Sequence, residues 1–280
     1  MDRTQARTTP LVITAAICGA EVTRDQNPAV PYTAEELAAE SERCFAEGAR
    51  VIHLHVRRPD GSPTQDRETF RAAIQAIKAR VPDAIVQVST GGAVGMSVEE
   101  RTQPLDLRPE FCSLTTGTCN FGDEVFSNPF PLITAIAEKA KTMGTRMEIE
   151  VFDAGFVDNA LLLARRGILP EPLHFDFVLG VPGAMTGTED RLDFLLGTIP
   201  VGSTWMVAGV GRFELPLATA AIARGGHVRV GLEDNLFVSR GVLAKGSWEL
   251  VRAAAAIARD AGRPLATPDQ TREILRLDKR

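Results

Sequence analysis

About eight times between Leu11 and Leu232 the chain returns to a short run rich in β-branched and apolar residues, and a helical pattern fills most of the gaps. The runs are residues 11–18, 51–56, 85–90, 111–116, 146–152, 175–180, 204–210 and 228–232. Strands that alternate with helices build right-handed βαβ units with parallel strands. About eight such units in 280 residues predict an α/β fold of the (β/α)8 TIM-barrel type. An open doubly wound sheet is the competing architecture. Against it, Gly91-Gly92-Ala93-Val94-Gly95 follows a strand without completing a dinucleotide fingerprint, and no Walker A loop occurs.

The helical segments carry their own punctuation. Residues 33–47 open on Thr33, with Glu36 three places on as a capping-box partner, and Gly48 follows where a left-handed residue ends a helix. Further helical patterns cover 66–80, 129–143, 159–166, 190–196, 214–224 and 248–261. The tail 268–277 reads as an extra C-terminal helix and a candidate subunit contact. No shift in composition marks a second domain, so residues 1–280 read as one, and a homo-oligomer is expected.

With 44% hydrophobic and 24% charged residues the chain has an ordinary globular composition. Its net charge of −5 offers no broad footprint for nucleic acid. No apolar run approaches the ~20 residues that cross a bilayer. The start Met1-Asp2-Arg3-Thr4-Gln5 lacks the apolar stretch of a secretory signal, which predicts a cytoplasmic protein with no membrane partner. Cys18, Cys44, Cys112 and Cys119 are scattered without a CxxC pair and read as reduced thiols.

The sharpest local signal is Val51-Ile52-His53-Leu54-His55-Val56-Arg57. Alternate side chains of a strand share a face, roughly 6.5 Å apart at Cα, so His53 and His55 can converge on one metal ion. The alternative is two independently hydrogen-bonded histidines. A carboxylate is a common third ligand, and the best donor is Glu233, which follows His227, Arg229 and Gly231 on one face of the last strand. In a barrel, strand eight closes on strand one, which permits a His, His, Glu site at the C-terminal mouth. Arg229 on the interior face needs a carboxylate partner such as Asp234 or Glu150. Glu148 and Glu150 share one face of strand five, where Glu148 either joins the site or pairs elsewhere in the barrel. The Ser89-Thr90-Gly91-Gly92 turn has hydroxyls and accessible amides suited to a carboxylate or phosphate.

These pieces occur in order with Gly19-Ala20-Glu21-Val22-Thr23-Arg24, Gly117-Thr118-Cys119-Asn120-Phe121-Gly122 and Arg229-Val230-Gly231-Leu232-Glu233-Asp234-Asn235. As a set they resemble the β-keto acid cleavage enzymes across nearly the whole chain. The resemblance implies an acyl exchange between a small-molecule β-keto acid and the co-substrate acetyl-CoA, releasing acetoacetate and a new CoA thioester. It implies Zn2+ held by His53, His55 and Glu233, although such a donor set also suits manganese, iron or cobalt. It matches Ser89, Gly92 and Ser113 to substrate-contacting positions, and Gly91, between the first two on the same turn, is a further candidate for substrate binding. Arg229, Asp234 and Glu150 match the positions of proton transfer, with Asp234 as base toward C2. Glu21 matches the acid that contacts a substrate amino group, which implies 5-amino-3-oxohexanoate or another cationic β-keto acid. Two other classes stand beside this one: a zinc hydrolase, and a metal-dependent small-molecule-binding protein.

Overall fold

A computed structural model of the chain describes residues 9–279. The start Met1–Gln5, read above for a signal sequence, lies outside them. Eight parallel strands form a closed barrel in which the first strand, β1 (Ile13–Ala16), lies between the second, β2 (Val51–Leu54), and the last, β8 (His227–Val230). Between them run β3 (Ile85–Val88), β4 (Phe111–Thr115), β5 (Arg146–Val151), β6 (His174–Leu179) and β7 (Thr204–Gly209). The open-sheet alternative is thereby excluded.

The outer layer consists of α1 (Ala34–Glu47), α2 (Arg67–Arg80), α3 (Phe130–Thr142), α4 (Ala154–Arg165), α5 (Glu189–Leu196), α6 (Glu214–Arg224) and α7 (Ser247–Asp260), with α8 (Pro268–Leu275) as the extra tail helix. The capping box of α1 is present as expected, and Gly48 ends that helix at φ 121°. After β3 the outer helix is reduced to a single turn, Val98–Arg101. A 3-10 segment containing Pro104, Gln103–Leu107, follows it, because proline has no N–H to continue an α-helix.

The apolar core lies between sheet and helices, where outward residues such as Ile52, Val88, Leu114 and Phe177 meet the helical layer. The space inside the barrel is polar: Thr14, Gln87, Ser113, Glu148, Asp176 and Arg229 are all enclosed. A second apolar cluster of Val12, Val51, Ile85 and Phe111 packs with Leu275 and Leu277, so the tail spends its apolar face on the barrel's own floor. Arg272 of α8 fastens it there through Glu110, at 2.6 and 3.1 Å. No helix among the described residues is long and apolar enough to cross a membrane.

Candidate metal centre

Chemistry in a closed α/β barrel collects where the strands end at their carboxyl side, because the loops there converge over one mouth. β2 ends at Leu54, two residues earlier than the sequence pattern suggests. The chain then enters a small hairpin of Val56–Arg57 with Pro63–Thr64. His55 therefore stands just past the strand end, yet its ring remains 5.3 Å from that of His53. Glu233 arrives from the turn after β8. Ala16 of β1 is the spacer between the two sides, paired with His53 in register and accepting the N–H of Glu233 at 3.1 Å.

Two glycines make this approach possible. Gly231 sits at φ 149°, and a Cβ there would lie 2.2 Å from the carbonyl oxygen of Ala16. Gly19 sits at φ 69°, and a Cβ there would press into the Glu233 side chain at 2.7 Å. Any larger residue would force the turn away from β1.

The ligand atoms of His53, His55 and Glu233 lie within 4.8 Å of one another. The Glu233 Oε1 is 3.5 Å from His53 Nε2 and 3.6 Å from His55 Nε2. His53 Nδ1 donates to the Gln87 side-chain oxygen at 2.5 Å, which fixes the tautomer and leaves the Nε2 lone pair free. That Nε2 and the Glu233 Oε2 are buried without any hydrogen-bond partner. Orphaned acceptors of this kind are costly in a folded protein, and a divalent cation satisfies both at once. The residues therefore fit a metal. Burial pushes His55 down to about 4 and keeps it neutral. Burial also opposes ionisation of Glu233, but the Arg229 guanidinium outweighs it and holds the carboxyl well below its usual range.

Arg229 crosses the barrel interior and gathers carboxylates. Its Nε and Nη2 reach Asp234, Nη1 reaches Glu150 at 3.2 Å and Nη2 reaches Glu233 at 2.6 Å. Both partners named from the sequence are thus engaged. Glu150 also accepts from the Thr115 hydroxyl at 2.6 Å. Burial, resisted by Arg229, lifts Asp234 to about 6. Glu148 has a different partner, His174, at 3.1 Å, and stands apart from the Arg229 cluster.

A cavity of about 650 Å³ opens over this cluster. Its walls include Glu21, His55, Ser89, Gly91, Gly92, Glu150, Arg229, Glu233 and Asp234. His53 lies beneath them, fully enclosed. Glu21 stands at the exposed rim and makes no ion pair with Arg24, which is bonded to Glu36 and stacked on Tyr32. Ser113 is not on the wall: it is fully buried under the loop after β3, where its hydroxyl accepts from the Thr90 N–H at 3.4 Å.

Sequence reasoning passed over several residues of this region. Phe121, Phe126 and Phe152 form one wall, their rings 6.0 to 6.4 Å apart in edge-on contacts. Asp176 is enclosed 3.6 Å from Arg229, and burial with Glu148 nearby raises its pKa well above the usual range. Glu214, at the start of α6, is buried beneath the turn that carries Glu233 and Asp234. It accepts from Gly231 N–H at 2.8 Å and from the Asn235 amide at 2.9 Å.

Comparison with known proteins adds the decisive observation: the model of the β-keto acid cleavage enzyme family matches residues 10–277. The chain belongs to that family. The 3-keto-5-aminohexanoate cleavage enzyme of Fusobacterium nucleatum is 53% identical over 270 residues, 96% of this chain and 98% of that one. The 3-oxoadipate:acetyl-CoA acetyltransferase of Cupriavidus necator is 37% identical over 96% of both chains. Among solved structures, apo ObcA superposes with a TM-score of 0.78 at 23% identity, covering 89% of this chain and 66% of ObcA, a likeness of fold. As a β-keto acid cleavage enzyme family member, the chain presents its candidate His, His, Glu site at the barrel's carboxyl end, where the family chemistry is expected.

Proposed function

We propose that this enzyme exchanges acyl groups between a β-keto acid and acetyl-CoA, forming acetoacetate and a new CoA thioester. Its foremost substrate in this reading is 5-amino-3-oxohexanoate or another short cationic β-keto acid. The observation that carries the reading is the convergence of His53, His55 and Glu233 at one end of a cavity whose adjoining wall holds Asp234 in the fork of Arg229. The names of the Fusobacterium and Cupriavidus relatives, one for an amino-substituted keto acid and one for acetyl-CoA, support the substrate and the co-substrate.

The three ligands would hold zinc, which when bound supplies Lewis acidity toward a keto oxygen. The remaining work falls to the chain. Asp234 takes the C2 proton, its pKa of about 6 suiting a base that works near neutrality. Arg229 fixes the plane of that carboxylate, and Glu150 with Thr115 steadies the far side of the guanidinium. The substrate C2 then attacks the acetyl-CoA carbonyl and expels the CoA thiolate; the thiolate adds to the original keto carbon and breaks its bond to C2, so the acyl group leaves on sulfur and Asp234 returns its proton to C2 of the acetoacetate. Ser89, Gly91 and Gly92 hold the substrate carboxylate, with Ser113 supporting Thr90 from below. Glu21 at the rim meets the cationic substituent, and the three phenylalanines keep water from the reacting carbons.

The test is to incubate metal-quantified protein with acetyl-CoA and a panel of cationic and neutral β-keto acids, reading both products by mass spectrometry. Metal-dependent formation of acetoacetate with the matching thioester is expected, with cationic acids preferred and that preference lost in Glu21→Gln. Cleavage without acetyl-CoA would instead identify a hydrolase. Equal losses for both substrate types in Glu21→Gln would remove the specificity argument.

A further inference from the structure

The one-turn helix Val98–Arg101 sets Arg101 directly behind the Ser89–Gly92 loop, where it is only 2% exposed. Its Nε donates to the Thr90 carbonyl at 2.7 Å and its Nη2 to the Asn128 side-chain oxygen at 2.8 Å. The guanidinium also lies 5.2 Å from the centre of the Phe126 ring. Among the described residues no carboxylate makes an ion pair with it, and its side-chain hydrogen bonds are those from Nε and Nη2. Glu150 acts on this guanidinium only from a distance and is itself paired with Arg229, so burial outweighs it and drives the Arg101 pKa down to about 10.

Only one layer separates this charge from the cavity. A Cβ on Gly92 would sit 3.4 Å from Arg101 Cγ, and one on Gly91 would sit 3.6 Å from the tip of Phe126. Gly91, Gly92 and Phe126 all face the cavity. In a trans peptide the C=O and N–H point opposite ways. The grip of Arg101 on the Thr90 carbonyl therefore turns the Gly91 N–H away from Arg101, and that N–H is found on Ser89 Oγ at 3.1 Å. The Gly92 N–H has no partner among the described residues.

We infer that Arg101 is a positioning residue for the carboxylate of the substrate: its unpaired charge draws that carboxylate onto the Ser89–Gly92 loop, and its bond to Thr90 sets the loop to receive it. The inference rests on the β-keto acid reading above. It explains why a cation sits buried behind a loop that carries no charge of its own. A carboxylate on the loop would give it a counter-ion not already shared with Arg229, as Glu150 is, across a low-dielectric gap where Coulombic attraction is weakly screened.

Calorimetric binding to metal-loaded protein, without acetyl-CoA, tests the assignment with two probes of one shape, acetoacetate and its neutral amide acetoacetamide. Wild type is expected to favour acetoacetate by ~10-fold or more. Arg101→Met should cut that ratio ~10-fold while leaving acetoacetamide binding within about threefold. Asn128→Asp gives Arg101 a permanent counter-charge without removing it, should lower the ratio likewise, and decides the matter if the methionine variant fails to fold. A ratio unchanged in a folded variant, or equal weakening of both probes, would overturn the role of the charge. A wild type that binds neither probe would instead refute the β-keto acid reading, and this inference with it.

Discussion

Arg229 meets Asp234 fork to fork, with Nε 2.9 Å from Oδ2 and Nη2 3.0 Å from Oδ1, so one guanidinium holds both oxygens of that carboxylate. Asp234→Asn keeps the volume but turns one acceptor into a donor facing the guanidinium. Metal content should stay at the wild-type level because Asp234 is outside the ligand set. Exchange of the acetoacetate C2 protons in D2O, followed by NMR, should slow by ~10²- to 10⁴-fold. Undiminished exchange in a metal-replete variant would remove Asp234 as the base.

The bond from His53 Nδ1 to Gln87 would be the outer support of a metal ligand. Gln87→Leu should weaken zinc affinity by ~10- to 100-fold, measured by competition with a chromogenic chelator. His53→Ala should go further: wild type should show a rise in melting temperature on adding zinc, and the alanine variant should show none.

Glu214 offers two acceptor oxygens to two fixed donors, since the Asn235 amide is already oriented by its bonds to Phe237 O and N–H at 2.7 and 3.0 Å. Glu214→Gln places an amide donor against one of them. A loss of ~1–3 kcal/mol in urea unfolding is expected. Weaker zinc retention should accompany it, because the same turn carries Glu233. An unchanged urea midpoint would show that the turn holds itself.

Glu36 gives a prediction for pH. Burial works against its carboxylate, but the N–H groups of Thr33 and Tyr32, the Thr33 hydroxyl and Arg24 outweigh it and hold the pKa at about 2. A folded-state pKa below the ordinary 4.5 adds stability that is complete above pH 4.5 and lost as pH falls toward 2. The side chain is 44% exposed, so solvent screening limits the gain to ~0.5–1 kcal/mol. Glu36→Gln preserves the capping pattern but not the charge. Wild type should exceed it by that margin in urea at pH 7, and the margin should shrink by pH 3. A margin equal at both values would assign the effect to something other than ionisation.

The barrel was legible because its strands are separate apolar runs and its helices carry local stop signs such as Thr33, Glu36 and Gly48. His53 and His55 were legible for the same reason: two residues apart on an apolar strand, they announce a shared face. Gln87, Asp176 and Glu214 were not. Each lies on a different element from the group it supports, and nothing in its local pattern separates it from an ordinary polar residue. The reduced helix after β3 carried a signal in Pro104. The phenylalanine wall carried none, since Phe121 and Phe126 come from the hairpin of Cys119–Phe121 with Glu124–Phe126 and Phe152 from just past β5, and only the fold brings them together.

β1 lies between the strand that bears the histidines and the strand that leads to Glu233. The two imidazoles need only β2 and the hairpin after it, whereas the carboxylate needs the pairing of β8 with β1, and two nitrogens alone make a weak trap for an ion. The full-strength site appears only when the last strand has docked and the cylinder is sealed. A metal held by all three groups would in that sense mark the sealed cylinder, since no two neighbouring strands supply the full donor set.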